Sequence, residues 1–228
     1  MELTYTPFHI MLAAVNTRYP TQQDRAIALL AERGMAKLSE FTASGITAAT
    51  ISRMKERGLI LQLSRGLYQL PDAPLDGNHS LAEAAKRVPK GVICLVSALA
   101  YHELTDTIPR LVWIAIGARQ KKPVVKTPPL NIVRFGQMVF STGIEEHMIE
   151  GVRVRIYSPA KTVVDLFRYR QREGRRYKSS PGINPVLEGM REALRQRKAT
   201  PADIARYAME AGVWSNLRPY LEAMTSHA

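Results

Sequence analysis

The sequence predicts an α+β protein in which an N-terminal winged helix-turn-helix domain precedes a mixed α/β C-terminal domain that ends in several helices. Two observations predict this order. Residues 36–71 contain a helix pair followed by a β-hairpin pattern, and the chain after the stretch PDAPLDGN at 71–78 alternates between helix and strand patterns. The expected division is an N-terminal extension at 1–20, the winged helix-turn-helix domain at 21–72, a linker at 73–79 and the C-terminal domain at 80–228.

Three helices are expected in the N-terminal domain. Thr21 can cap the first helix, which Gly34 would end. A second short helix is expected at 36–42, followed by a small-residue turn at 43–45. The third helix is expected at 47–57, capped by Thr47 and stopped by a glycine at its end. This order is typical of a helix-turn-helix.

A β-hairpin, or wing, is expected directly after the third helix. Its strands would cover 59–63 and 67–70, joined by the turn Ser64-Arg65-Gly66. Strict alternation would turn Leu59, Leu61 and Leu63 inward and place Ile60 and Gln62 on the other face.

The third helix has two different faces at about 100° per residue. Ile51 and Met54 fall on the side that faces the core, and small or polar residues fall on the other. Such an outer face can enter the DNA major groove, while basic residues near the wing can meet phosphates or the minor groove. The predicted DNA-binding residues are Thr47, Ala48, Ala49, Ser52 and Arg53 on the helix, with Lys37 and Arg65 outside it.

The C-terminal pattern begins with an expected helix at 79–87. Strands are then expected at 92–96, 111–116, 130–135, 138–140 and 152–157, with a helix capped by Ser97 at 97–104. From Ser158 onward four helices are expected, and Ser158-Pro159 and Thr200-Pro201 supply the cap and first-turn proline that open helices.

Composition favours a cytoplasmic protein with an anionic partner. The 228 residues carry a formal net charge of +12, which favours polyanions such as nucleic acid. No apolar run reaches the roughly 18 residues of a membrane helix, and the N-terminus lacks the features of a secretion signal. The single cysteine, Cys94, suits a reducing compartment and is expected to be buried and unreactive.

Basic residues concentrate toward the C-terminus, where residues 158–228 hold 13 Lys or Arg against 7 Asp or Glu. A loop and the run at 168–178 form a second candidate phosphate-binding patch, and Tyr169 and Tyr177 within that run also suit stacking on single-stranded nucleic acid. A solvated helix end explains the run equally well. The patch residues are Arg119, Lys121, Lys122, Lys126, Arg168, Arg170, Arg172, Arg175, Arg176 and Lys178.

Three stretches resemble the AbiEi antitoxins of bacterial AbiE toxin-antitoxin systems. They are RGLYQLP at 65–71, the S-A-L-x-x-H-x-L-T pattern at 97–105, and SPAKTVVDLF at 158–167. The resemblance covers essentially the whole chain after about Thr21 and leaves the leading segment unexplained.

The resemblance implies a repressor that binds inverted repeats in the promoter of its own operon, as a dimer or by cooperative binding. It implies a nucleotidyltransferase-like toxin as a functional partner that is opposed without a stable complex. It implies no catalytic residue, cofactor or metal.

Other chemistries find little support in the sequence. Ser158 and Lys161 match the S-x-x-K pattern of penicillin-recognising enzymes, but the accompanying S-D-N and K-T-G are absent. Lys161 and Asp165 are expected to pair on a helix surface, where such pairs contribute about 0.3–0.5 kcal/mol. Glu150 is expected to be an exposed turn residue, and the five histidines have no metal-ligand spacing.

Two alternatives of other classes stay open. In the first, the C-terminal domain is an enzyme that acts on nucleic acid and the winged helix delivers it. In the second, the winged helix binds protein. Turnover of nucleic acid, or promoter binding that falls steeply with salt, would separate these alternatives from a repressor.

Overall fold

The computed structural model describes residues 20–173 and 182–226, and for residues 172 and 173 it describes the backbone alone. Residues 1–19 of the predicted extension therefore lie outside the described residues. So do Arg175, Arg176 and Lys178 of the predicted patch, together with the side chain of Arg172.

Ten helices and two sheets make up the described residues, and the predicted fold class is confirmed. The helices are α1 Gln22–Arg33, α2 Leu38–Ala43, α3 Ala48–Glu56, α4 His79–Arg87, α5 Leu95–Tyr101, α6 Gln137–Ser141, α7 Pro159–Glu173, α8 Ile183–Arg195, α9 Pro201–Glu210 and α10 Trp214–Thr225. The strands are β1 Met35–Lys37, β2 Leu61–Ser64, β3 Leu67–Gln69, β4 Val92–Ile93, β5 Val112–Gly117, β6 Leu130–Phe135, β7 Ile144–Ile149 and β8 Val152–Tyr157.

The N-terminal sheet has three antiparallel strands in the order β1-β3-β2. The expected start of the second helix at residue 36 is wrong, because Met35 and Ala36 pair with β3 and are fully buried. The helix begins two residues later, at Leu38. Pairing with the wing therefore takes precedence over the helical pattern at these positions.

The expected alternation of the wing is also wrong. Ile60 is 1% exposed, and Leu61 is 48% exposed. The strand begins only at Leu61, and a register shift between Gln62 and Ser64 interrupts the alternation. Ile60 precedes the strand and packs in the core of the three helices.

That core explains the placement of α3. Its residues come from all three helices, the loop before α3 and the sheet, so that α3 is held from one side only. The buried residues are Ala26, Leu29, Leu30, Ala36, Phe41, Ile46, Ile51, Met54, Ile60 and Tyr68.

The second sheet has five strands in the order β6-β5-β4-β8-β7. Both faces of its middle are covered, which explains the continuous apolar run of β5. Ile114 and Ile116 belong to the cluster that includes α4, whereas Trp113 and Ala115 belong to the cluster that includes α5 and the C-terminal helices.

Three expectations for this part are wrong. The strand expected at 92–96 ends at Ile93, and Ser97 lies inside α5 instead of capping it. Its hydroxyl accepts a hydrogen bond from the Trp113 backbone N–H at 2.9 Å. The strand expected at 138–140 is part of α6, where the Phe140 N–H donates to the Gly136 carbonyl at 2.9 Å.

The winged helix packs directly on the C-terminal part of the chain. Met35 and Leu67 share one buried cluster with residues of α4 and of the five-stranded sheet. Gly34 and Gly151 allow the backbone after α1 to lie against the turn between β7 and β8. A Cβ placed on Gly34 would lie 1.5 Å from the Glu150 carbonyl oxygen. The division at 73–79 stays a prediction.

Glu150 is not an exposed turn residue, because its side chain is 4% exposed. Its carboxylate accepts from the Asp76 backbone N–H at 2.7 Å and lies 2.8 Å from Nδ1 of His79. It thereby ties the turn between β7 and β8 to the segment that enters α4.

None of the described helices is long and apolar enough to cross a membrane.

Candidate nucleic-acid interface

The five predicted recognition residues all lie on the open side of α3 and at its start. Ile51 and Met54, 0% and 2% exposed, hold the opposite side in the core. Ser52 and Arg53 are exposed, and none of the C-terminal residues that the structure describes covers them. The exposed residues are Thr47, Ala48, Ala49, Ser52 and Arg53.

The start of α3 is fixed by two polar side chains. The Thr47 hydroxyl caps the helix by accepting from the Thr50 N–H at 3.2 Å, as its position predicts. Gln22 Oε1 accepts from the Thr47 backbone N–H at 3.0 Å and from the Thr50 hydroxyl at 2.8 Å. Nothing in the sequence distinguishes Gln22 from any other first-turn helix residue, so its role is visible only in the structure.

A groove of about 690 Å³ runs between the start of α1 and the outer side of α3. Within it Arg57 donates to Gln23 Oε1 at 3.3 Å, and Glu56 accepts from the Ser52 hydroxyl at 3.2 Å. Every lining residue except Met54 has a polar side chain, and both helices contribute to the lining. The lining residues are Thr21, Gln22, Gln23, Thr47, Thr50, Arg53, Met54, Glu56 and Arg57.

The wing is attached to α4. Arg87 donates to the Arg65 carbonyl oxygen at 2.9 Å and also to the Ser64 hydroxyl. Ser64 in turn donates to Glu83 at 2.6 Å. The side chain of Arg65 is exposed, while its backbone is held from the C-terminal part of the chain. The direction of the wing tip is therefore set by a helix outside the winged helix.

Lys37 lies half-buried beside this attachment. Desolvation lowers the pKa of its ammonium; the nearby Glu40 carboxylate opposes that effect, and Arg87 and Lys86 add to it. Glu40 is itself shared, since it accepts from Lys86 at 3.1 Å. At the wing base, Lys37, Lys86 and Arg87 therefore lie beside two acidic residues, Glu40 and Glu83.

The predicted second patch divides into exposed and packed residues. Arg168 is half-buried, with its guanidinium 5.9 Å from the centre of the Phe135 ring. Tyr169 packs edge-on against Trp113 with ring centres 5.8 Å apart. Both side chains thus pack against aromatic rings of the protein itself. The exposed members of the patch are Arg119, Lys121, Lys122, Lys126 and Arg170.

Lys161 and Asp165 pair as predicted, but the expected surface location is wrong. Their side chains are 3% and 0% exposed, and the ammonium lies 4.6 Å from the centre of the Tyr157 ring. Burial raises the pKa of Asp165 and lowers the pKa of Lys161, since desolvation disfavours both charges.

Burial likewise raises the pKa of the Cys94 thiol, which is fully buried as predicted. Among the described residues, no group of three or more His, Cys, Asp or Glu side chains is placed to hold a metal ion.

Comparisons with known proteins bear on fold and family. The crystal structure of the RV2827C protein from Mycobacterium tuberculosis superposes on 91% of this chain and 78% of that chain, with a TM-score of 0.57 and 13% identity. At that identity the likeness shows a shared fold alone. No curated protein matches the chain. A family model described as the AbiEi antitoxin transcriptional regulators matches residues 24–71. The resemblance to AbiEi is thus confirmed over these residues, which are similar to the transcriptional regulators of the AbiEi antitoxin family.

Proposed function

We propose that this chain is a DNA-binding transcriptional repressor and antitoxin of an AbiE-type operon. One observation carries the proposal: a domain similar to the AbiEi regulators presents the open, polar side of α3 to solvent, with Arg53 exposed on it. The groove beside α3 and the basic residues at the wing base support it, because both suit the phosphates of a duplex.

Each residue type on α3 implies a different contact. Arg53 can bind the O6 and N7 acceptors of a guanine, and Ala48 and Ala49 can contact a thymine methyl group. Lys37 and Arg65 would bind phosphates, as would the exposed basic residues of the second patch. Because so few side chains reach bases, duplicated half-sites would supply the remaining specificity, with two copies of the chain on an inverted repeat.

The promoter of the protein's own operon is the test ligand. We expect a gel-shift titration to show saturable binding that exceeds binding to a scrambled duplex and that falls steeply as salt rises. Binding that is equal for the two duplexes, or absent from both, would refute the repressor. In the latter case the alternative of a protein-binding winged helix would remain.

Replacing Arg53 with alanine is expected to weaken promoter binding by about 1–3 kcal/mol, because one bidentate base contact is lost. The melting temperature should stay nearly constant, since Arg53 is exposed and lies outside the core. Arg218→Ala is the matched control, because this exposed arginine lies on α10, in the C-terminal part of the chain. Equal affinity of the Arg53 variant and wild type would remove α3 as the recognition helix.

The antitoxin role is tested in cells. We propose that the chain opposes a nucleotidyltransferase-like toxin without a stable complex and without catalysis of its own. Co-production should restore growth to cells that make such a toxin from the same operon, while the two purified proteins should not co-elute. Turnover of DNA, RNA or nucleotides by the purified chain with Mg²⁺ would contradict the non-enzymatic role.

A further inference from the structure

The carboxamide of Gln22 is used on one side only. Its oxygen accepts three hydrogen bonds, from the Thr47 N–H at 3.0 Å, the Thr47 hydroxyl at 3.2 Å and the Thr50 hydroxyl at 2.8 Å. A backbone N–H can only donate, so the group that faces Thr47 has to be the amide oxygen. The orientation of the carboxamide is therefore fixed by its partners.

The amide nitrogen of Gln22 consequently points away from Thr47 and Thr50. Within the described residues this nitrogen has no hydrogen-bond partner, although it can donate twice. Gln22 lines the groove between α1 and α3 and is half-buried there. A fixed donor at the wall of an open groove is suited to a ligand that only accepts hydrogen bonds.

The charges of the groove favour an anion. Arg53 and Arg57 line it, against one carboxylate, that of Glu56. Glu56 is occupied by the hydroxyl of Ser52 at 3.2 Å. A phosphodiester accepts hydrogen bonds, donates none and carries one negative charge, so it suits the amide of Gln22 and the guanidinium of Arg57, while Arg53 stays available to a base.

We propose that the groove between α1 and α3 holds a backbone phosphate of the bound duplex, with Gln22 Nε2 as its fixed donor. Gln22 then acts on both sides at once: its oxygen sets the first turn of α3, and its nitrogen fixes that turn against the DNA backbone. A phosphate contact of this kind sets the register with which a recognition helix meets the bases. The proposal rests on the proposed function, since it requires duplex binding.

Gln22→Glu separates the two roles of the side chain. A glutamate keeps an oxygen for Thr47 and Thr50, but it replaces the donor by a negative charge beside the phosphate. We expect the variant to keep the wild-type melting temperature and to bind the promoter at least about tenfold more weakly at low salt. The deficit should shrink as salt rises, because screening weakens the repulsion.

Two further variants serve as comparisons. Ala28→Glu adds the same charge to an exposed position of α1 that does not line the groove, and it should bind nearly as wild type. Gln22→Ala removes both the acceptor and the donor without adding charge, and it should bind less weakly than Gln22→Glu at low salt. If Gln22→Glu binds as well as wild type, or no worse than Gln22→Ala, the phosphate contact is refuted and Gln22 only positions α3.

A scan of the duplex covers the case in which Gln22→Glu fails to fold. Single phosphates are replaced in turn by neutral methylphosphonates, and binding is measured with wild type and Gln22→Ala. At one position per half-site the replacement should weaken wild-type binding and leave Gln22→Ala unaffected. If each replacement weakens the binding of wild type and of Gln22→Ala by the same factor at every position, the proposal is overturned. Failure of wild type to bind the unmodified promoter would refute the repressor instead.

Discussion

Replacing Asp165 with alanine is expected to lower the free energy of unfolding by about 3–5 kcal/mol, because Lys161 would keep a buried charge without its partner. Both side chains are almost fully enclosed, and the ammonium lies 4.6 Å from the ring centre of Tyr157 and 5.7 Å from that of Phe135. For a chain of this size the melting temperature should fall by roughly 6–20 °C. The 0.3–0.5 kcal/mol typical of an exposed pair at this spacing would be about tenfold smaller.

A double variant and an exposed ion pair serve as comparisons for Asp165→Ala. Lys161→Met combined with Asp165→Leu should recover most of the lost stability, since it removes both charges and fills the space. Glu222→Ala breaks the Arg218–Glu222 pair, which has the same spacing but side chains 58% and 56% exposed, and should cost less than 1 kcal/mol. Similar costs for Asp165→Ala and Glu222→Ala would show that burial does not govern the pair.

This pair changes the interpretation of the SPAKTVVDLF stretch. Its serine, Ser158, accepts from the Lys161 N–H at 3.4 Å, and the lysine side chain turns inward to Asp165. The S-x-x-K pattern therefore forms a helix start and a buried ion pair beneath the sheet. Its geometry supports a role in holding α7 to the core.

Local signals predicted the parts of the fold that local chemistry determines. The hydroxyl of Thr47 caps α3, and Thr21 and Asp24 form a capping box at the start of α1. Thr200 and Pro201 open α9 as predicted. The helical period of α3 correctly predicted that Ile51 and Met54 are buried and that the residues on the opposite side are exposed.

Contacts between distant segments determined the rest. Glu150 is buried because it meets Asp76 and His79 across more than 70 residues of chain. Lys161 is buried where its ammonium packs against the rings of Tyr157 and Phe135, which come from two different strands. Each of these residues has a polar side chain that typically lies at the surface, so its own identity predicts exposure.

Replacing Gly34 with alanine is expected to destabilise the contact between the winged helix and the C-terminal part of the chain. The backbone there has a φ of +65°, and the new Cβ would lie 1.5 Å from the Glu150 carbonyl oxygen. The Cβ position is fixed by the backbone of residue 34, and the oxygen belongs to the backbone of Glu150, so no side-chain rotation relieves the overlap. The combined cost of a left-handed alanine and of overpacking is about 2–5 kcal/mol.

Gly58→Ala is the matched control for Gly34→Ala. Its φ is +69°, but nothing lies within 4 Å of an added Cβ, so it carries the conformational cost of about 1–2 kcal/mol without the overlap. Unfolding of both variants in denaturant measures the difference, and equal costs would show that the two backbones separate easily at Gly34. Because Arg87 of α4 holds the Arg65 carbonyl, a displaced junction would also move the wing. Gly34→Ala should therefore weaken promoter binding more than Gly58→Ala, although Gly34 lies outside the proposed DNA-binding residues.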